Sequence, residues 1–316
     1  MLSYQKFSLI MKSTKTKIIL GSLFILILIY GGISWYFSNQ LVFFTVRTHE
    51  DDIRDYKIHS IEQVGLEKPE DFILELDDIK ISGWYFPGKK SCGVVFHHGY
   101  KGTRIRMITY TQLFKDFQCH LVLYDARHHG KSTGNFGTFG YYEKFDLLKI
   151  IDWLKNKASL QDEQIALFGE SMGAATVIQA AGYSKRKFKM ILAESPYADL
   201  YTIVKERSMV LYPKPAVIFL KGAFLLSELR TGADLDDVSP QKYAKDIRTP
   251  ILIYHSKTDD YTPYHHSEDV FKSLQLNEKE LILTDWGSKH AYSIDDNYEK
   301  YQEYFKNFIK KYQINF

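Results

Sequence analysis

The sequence predicts an α/β protein: a mostly parallel, eight-stranded sheet with helices on both faces, a small helical cap and an N-terminal transmembrane helix. Three observations predict it. Short, nearly all-apolar runs alternate with stretches whose apolar residues recur at helical spacing, the pattern of a parallel sheet covered on both faces. Gly169-Glu170-Ser171-Met172-Gly173 stands between such a run and a helical stretch, where a strand turns sharply into a helix. Ile18 to Phe37 is 20 residues without a charge. A helix of that length spans about 30 Å, the thickness of a bilayer's hydrocarbon core.

Taken in order, residues 1–17 form a basic stretch carrying Lys6, Lys12, Lys15 and Lys17. The whole chain has a net charge of +3, so the remainder is close to neutral. Residues 18–38 are read as the membrane anchor. A cleaved signal has a shorter apolar core and a small-residue cleavage site. The first alanine is Ala126, so the anchor is expected to stay. Lysines crowd one flank and Glu50, Asp51 and Asp52 follow the other, which puts the N-terminus in the cytoplasm and residues 47–316 outside it. Residues 39–70 are expected to be a polar connector and 71–316 the catalytic domain.

Within that domain, Phe72–Leu76 and Lys80–Phe86 are expected to pair antiparallel. Gly93–His97, Cys119–Tyr124, Gln164–Phe168, Met190–Ala193, Ile251–Tyr254 and Leu281–Thr284 are expected as short buried strands. Leu147, Leu148, Ile150, Ile151 and Leu154 mark one helix; Tyr298, Tyr301, Phe305 and Ile309 mark another. Residues 197–249 show no strand and are expected to form a helical insert over the sheet's C-terminal edge. Cys92 and Cys119 begin two strands at the same level. They are expected to be buried thiols, because level pairs on parallel neighbours strain a disulfide.

Ser171 is the candidate nucleophile. A strand-to-helix turn exposes its side chain in a strained conformation, and Gly169 and Gly173 avoid clashes with the neighbouring strand and helix. A serine hydroxyl needs a base, and the base needs an orienting acid. In this type of fold the acid and then the histidine follow the serine, each at the C-terminal end of a strand. Asp259 is the candidate acid, with Asp260 and Glu194 as rivals, and His290 is the candidate base. The N–H of Met172 and the N–H of Tyr100, in the loop His98-Gly99-Tyr100, are candidate oxyanion donors. His97-His98, His128-His129 and His265-His266 suggest metal ligation. Neighbours on a strand point to opposite faces, so no metal is expected. No cofactor is required. No basic stripe interleaved with aromatics points to nucleic acid.

These motifs resemble the α/β-hydrolase superfamily over residues 70–312. His98-Gly99 stands at the oxyanion-loop H-G, and Asp125 to Ser132 is similar to the D-x-R-G-x-G-x-S loop, with His128 at its first glycine. Gly169–Gly173 matches the nucleophile elbow. His255 to Pro263 resembles H-G-x-x-D-x-x-V-P, with Ser256 and Thr262 as departures, and this selects Asp259. His290 stands at the terminal histidine, with Ser288 where a glycine is usual. Within the superfamily the chain most resembles the membrane-anchored esterase and thioesterase branch related to Bem46, and the serine aminopeptidase-like hydrolases. The resemblance implies hydrolysis of a small or lipid-like acyl ester or thioester. A peptidase is the alternative, with Glu194 or Glu228 holding the substrate amine. An inactive membrane-tethered scaffold is the third reading.

Overall fold

The structure is a computed structural model and describes residues 14–58 and 61–316. Lys6 and Lys12 of the basic stretch lie outside the described residues. The sheet has eight strands: β1 (Glu70–Glu75), β2 (Lys80–Phe86), β3 (Gly93–His97), β4 (His120–Tyr124), β5 (Ile165–Glu170), β6 (Met190–Glu194), β7 (Ile251–Ser256) and β8 (Lys279–Thr284). Their order is β1-β2-β4-β3-β5-β6-β7-β8. The pairs β1/β2 and β2/β4 are antiparallel and the rest are parallel. Strand β5 lies centrally and carries the elbow.

The helices are α1 (Thr14–Val42), α2 (His49–Tyr56), α3 (Arg104–Thr111), α4 (Glu143–Ala158), α5 (Met172–Ser184), α6 (Leu200–Leu211), α7 (Leu220–Thr231), α8 (Pro240–Ala244), α9 (His265–Ser273), α10 (Ser293–Asp296) and α11 (Tyr298–Lys311). Alternate strand residues face two separate cores. On one face Val95, Val122, Leu167 and Ile191 pack under α4 and α5. On the other Phe96, Phe168, Leu192 and Tyr254 pack under α3 and α11. Every residue of β3, β5, β6 and β7 is buried, as a sheet covered on both sides requires.

Helix α1 has 29 residues, about 43 Å at 1.5 Å per residue, and is long and apolar enough to cross a membrane. Its last three turns lie against the insert. A Cβ on Gly222 of α7 would sit 2.3 Å from the Ser34 hydroxyl, so the two helices cross at the glycine. The Ser227 hydroxyl donates to Ser38 Oγ at 3.0 Å, and Arg230 donates to Ser38 and to Asn39 Oδ1.

Two expectations differ from the structure. Cys92 and Cys119 form a disulfide. Both lie one residue before the first ladder pair, Gly93↔His120, outside the pleat that holds strand residues apart. There their Cα atoms come to 4.8 Å, within the range a disulfide spans. The segment expected as a connector is built into the domain. Val42 and Phe44 are buried in a third core with Met172, Leu200 and Phe224. Thr48 caps α2, the Asp52 carboxylate accepts from the Thr103 N–H and hydroxyl at 2.8 and 2.7 Å, and His49 reaches Asp125 at 2.8 Å. The insert is helical, as expected, with α6, α7 and α8 in residues 197–249.

Candidate active site

Ser171 ends the buried run of β5 and begins α5 with φ 53° and ψ −114°, a conformation few side-chain-bearing residues adopt. Its N–H is fixed to the Glu194 carbonyl at 2.7 Å. The turn is possible because its flanks are glycines. A Cβ on Gly169 would meet the Gly173 carbonyl oxygen at 2.3 Å, and one on Gly173 would meet the His97 carbonyl oxygen at 2.1 Å.

The residues singled out from three distant parts of the chain form one hydrogen-bonded line. Ser171 Oγ lies 2.8 Å from His290 Nε2, and His290 Nδ1 lies 2.7 Å from Asp259 Oδ2. Donation from Nδ1–H to the carboxylate leaves Nε2 as the acceptor of the serine proton. Burial alone would raise Asp259, but hydrogen bonds from His255 and His290 hold its carboxyl well below the usual range. Asp259 Oδ1 also accepts the N–H groups of Tyr261 and Thr262 at 2.9 and 2.8 Å. Asp260 lacks this role; its carbonyl accepts from Arg207.

On the other side of Ser171, Gly99 gives the His98–Tyr100 loop its closeness. A Cβ there would be 3.1 Å from Glu170 Oε1 and 3.3 Å from Ser171 Cβ. His98 Nε2 accepts the Ala126 N–H at 2.9 Å, so its Nδ1 carries the proton given to the Gly99 carbonyl at 2.8 Å. Burial lowers the His98 pKa to about 4 and keeps it neutral. Among the described residues, no acceptor takes the N–H of Tyr100 or of Met172.

Two clefts meet at Ser171. One, of about 250 Å³, is apolar, with Leu41, Met172, Leu200, Ile203 and Phe224 in its walls. The other, of about 490 Å³, carries a larger share of polar groups, with Arg47, Tyr56, Arg106, Glu170 and Tyr292 in its walls.

Residues 137–314 match the model of the prolyl oligopeptidase family. The chain belongs to this family. It is 30% identical over 281 residues to the uncharacterized protein YqkD of Bacillus subtilis, covering 86% of this chain and 90% of that one. It is 24% identical over 242 residues to protein YfhR of Escherichia coli, covering 74% and 77%. An esterase from Pyrococcus furiosus superposes with a TM-score of 0.63 at 22% identity, over 80% of this chain and 94% of the esterase. An acylaminoacyl peptidase from Pyrococcus horikoshii superposes with a TM-score of 0.61 at 21% identity, over 84% of this chain and 44% of the peptidase. The protein is a hydrolase of the α/β-hydrolase superfamily, the superfamily its motifs resemble.

Several supporting residues of this hydrolase escaped the sequence reading. His255 lies 3.1 Å from Asp259 Oδ2 and 2.7 Å from the Thr262 carbonyl, bracing the acid loop. Its only signal was its place at the head of the His255–Pro263 motif. Arg106 joins the elbow to the histidine loop: its guanidinium donates to Glu170 at 2.7 Å, to the Ala291 carbonyl at 2.6 Å and to Asp295. The expected amine holders are elsewhere. Glu194 is fully buried, accepts from Tyr301 at 2.6 Å, and lines neither cleft. Glu228 accepts the Leu235 N–H in the insert.

The alternation argument against paired histidines does not apply to His265-His266, which begin a helix. Their rings stack at 4.4 Å and both reach Glu206. The three offer ligand atoms within 4.8 Å of one another. However, His266 Nδ1 accepts the Ala198 N–H at 3.2 Å, so Nε2 keeps its proton and gives it to Glu206 at 3.1 Å. A cation would need that nitrogen's lone pair, so the cluster suits a hydrogen-bonded carboxylate rather than a metal.

Proposed function

We propose that the protein is a serine hydrolase that cleaves carboxylic acyl esters or thioesters. The observation that carries this is the unbroken line from a strained Ser171 through His290 to Asp259, at 2.8 and 2.7 Å. Ser171 Oγ attacks the carbonyl carbon as His290 Nε2 takes its proton. The N–H groups of Met172 and Tyr100 receive the oxyanion. His290 returns the proton to the leaving alcohol or thiol, and the acyl group stays on Ser171. Water then attacks the acyl-enzyme, giving its proton to His290, and the free acid leaves as Ser171 is reprotonated. Asp259 holds the imidazole tautomer and stabilises the imidazolium.

The apolar cleft suits an acyl chain and the more polar one a leaving group. A peptidase reading draws on the family itself, but the two carboxylates expected to hold a substrate amine do not line the clefts at Ser171. In the proposed topology the N-terminus is cytoplasmic and the catalytic domain lies on the far side. The Cys92–Cys119 disulfide supports this, since such bonds persist in oxidising compartments. The test is hydrolysis of short p-nitrophenyl esters beside a peptide library, with fluorophosphonate labelling. Ester turnover and labelling are expected, both lost in Ser171→Ala. Turnover surviving that change overturns the assignment, cleavage of peptides alone moves it to a peptidase, and no labelling favours an inactive scaffold.

A further inference from the structure

The apolar cleft at Ser171 is not walled by the catalytic domain alone. Phe37, Gln40 and Leu41, from the last turns of α1, line it together with the insert. Among the described residues, α1 is the helix long and apolar enough to enter a bilayer, and its first turns are almost wholly uncovered by protein.

The contact of α1 with the insert begins well inside its uncharged run. The Tyr30 hydroxyl donates to the Ile218 carbonyl at 3.2 Å, and its ring lies 5.3 Å from that of Phe219. Phe37 packs edge-on to Tyr212 at 5.0 Å. From Tyr30 to Phe37 the helix rises about 10 Å. If α1 spans a membrane, the insert segments touching this stretch lie at the depth of lipid. The insert's outer surface carries large aliphatic side chains suited to that depth, with Lys221, Glu228 and Asp236 bordering Leu225. Val210 is 72% exposed, Ile218 63%, Leu225 56% and Leu229 73%. Four large aliphatic side chains so exposed in a water-facing cap would form an unusual apolar patch. Lys214 and Lys221 are exposed beside them, with stems long enough to carry their charges to headgroups. The second cleft meets the first at Ser171 and is lined by Arg47, Lys101 and tyrosines.

We propose that the outer face of α6–α7 is immersed in the same leaflet as the end of α1, and that the substrate is a membrane lipid ester. Its acyl chain passes from the leaflet into the cleft between α1 and the insert. Its polar leaving group occupies the second cleft and departs towards water. This rests on the ester-hydrolase reading above and adds to it the substrate's location and its route. The partner is the bilayer, because α7, which carries Leu225 and Leu229, packs directly on α1, whose own exposed residues are mostly apolar. Immersion of an apolar face by about 5–10 Å is the depth usual for interfacial helices.

The test uses the full-length protein in vesicles of phosphatidylcholine and phosphatidylglycerol carrying a fluorogenic palmitoyl ester, with soluble p-nitrophenyl butyrate as the second substrate. In Leu225→Asp/Leu229→Asp, and separately in Val210→Asp, vesicle-ester hydrolysis is expected to fall about tenfold or more, since a carboxylate in hydrocarbon costs over 1.4 kcal/mol. Butyrate hydrolysis is expected to be unchanged. Equal rates on the vesicle ester overturn the proposal. A parallel fall on both substrates marks a folding defect, and wild-type protein then decides. A phosphatidylcholine with a diazirine on its acyl chain is expected to crosslink to residues 209–211 and 225–229. Crosslinks confined to α1 overturn the proposal. Ser171→Ala separates this from the underlying reading: if butyrate hydrolysis survives that change, the hydrolase assignment fails, whatever the lipid experiments show.

Discussion

Replacing Glu194 by glutamine is expected to change how stability depends on pH. The carboxyl ends β6 with no exposure to solvent. One oxygen accepts the Tyr301 hydroxyl at 2.6 Å, and the other has no hydrogen-bond partner among the described residues. Burial raises its pKa to about 7, against the pull of the Tyr301 hydrogen bond. A raised carboxyl pKa means that the folded state holds a proton which the unfolded state releases. The stabilising effect is complete below about 4.5 and is lost as the pH rises through about 7. The difference corresponds to about 3 kcal/mol, at about 1.4 kcal/mol per tenfold change in proton affinity. Glutamine mimics the protonated acid, keeping an acceptor for Tyr301 and a donor in place of the second oxygen, and it does not titrate. For a domain of this size, about 3 kcal/mol moves the melting temperature by about 6–12 °C. Thermal unfolding of the detergent-solubilised protein at about pH 5 and about pH 8 measures it. The variant is expected to equal the wild type at the lower pH and exceed it at the higher. Parallel curves for the two proteins across that range would refute the argument.

Ser171→Gly is expected to abolish ester hydrolysis yet raise the melting temperature by about 2–12 °C, because it releases backbone strain of order 1–3 kcal/mol at φ 53°; calorimetry beside an esterase assay checks both. Asp259→Asn is expected to lower kcat/KM about a thousand- to ten-thousand-fold while leaving the fold intact, because the amide disrupts the His290 tautomer; steady-state kinetics and circular dichroism read this. Alanine at both Cys92 and Cys119 is expected to cost about 3.5 kcal/mol, the closure entropy of a loop of this length, read as a lower urea midpoint, with a similar loss when the wild type is reduced.

The elements most legible in the sequence were those that repeat a local rule. Strands such as Gly93–His97 declare themselves by continuous apolarity. Ser171 and His290 declare themselves because each follows a strand within a dense motif. What stayed hidden depended on partners remote in sequence. Phe37 read as lipid-facing because an apolar side chain looks the same whether lipid or protein covers it, and Leu41 read as part of a connector. His49 and Asp52 read as part of a polar connector because the buried groups they satisfy, Asp125 and Thr103, lie over 50 positions away. The disulfide depended on a backbone step at the ladder's edge that composition does not encode.

The stretch between α1 and β1 has a practical consequence. The Arg47 N–H donates to the Lys101 carbonyl at 3.0 Å, Phe44 packs 4.5 Å from the ring of Tyr100, and the Tyr100 hydroxyl reaches the Gln40 carbonyl. This stretch therefore acts as a splint for the turn beside the nucleophile. A protease that clips the molecule near residue 57 would shed a folded sheet deprived of that splint. Attempts to make a water-soluble version by trimming to the first strand meet the same obstacle, and retaining the polypeptide from about residue 40 onward preserves the brace.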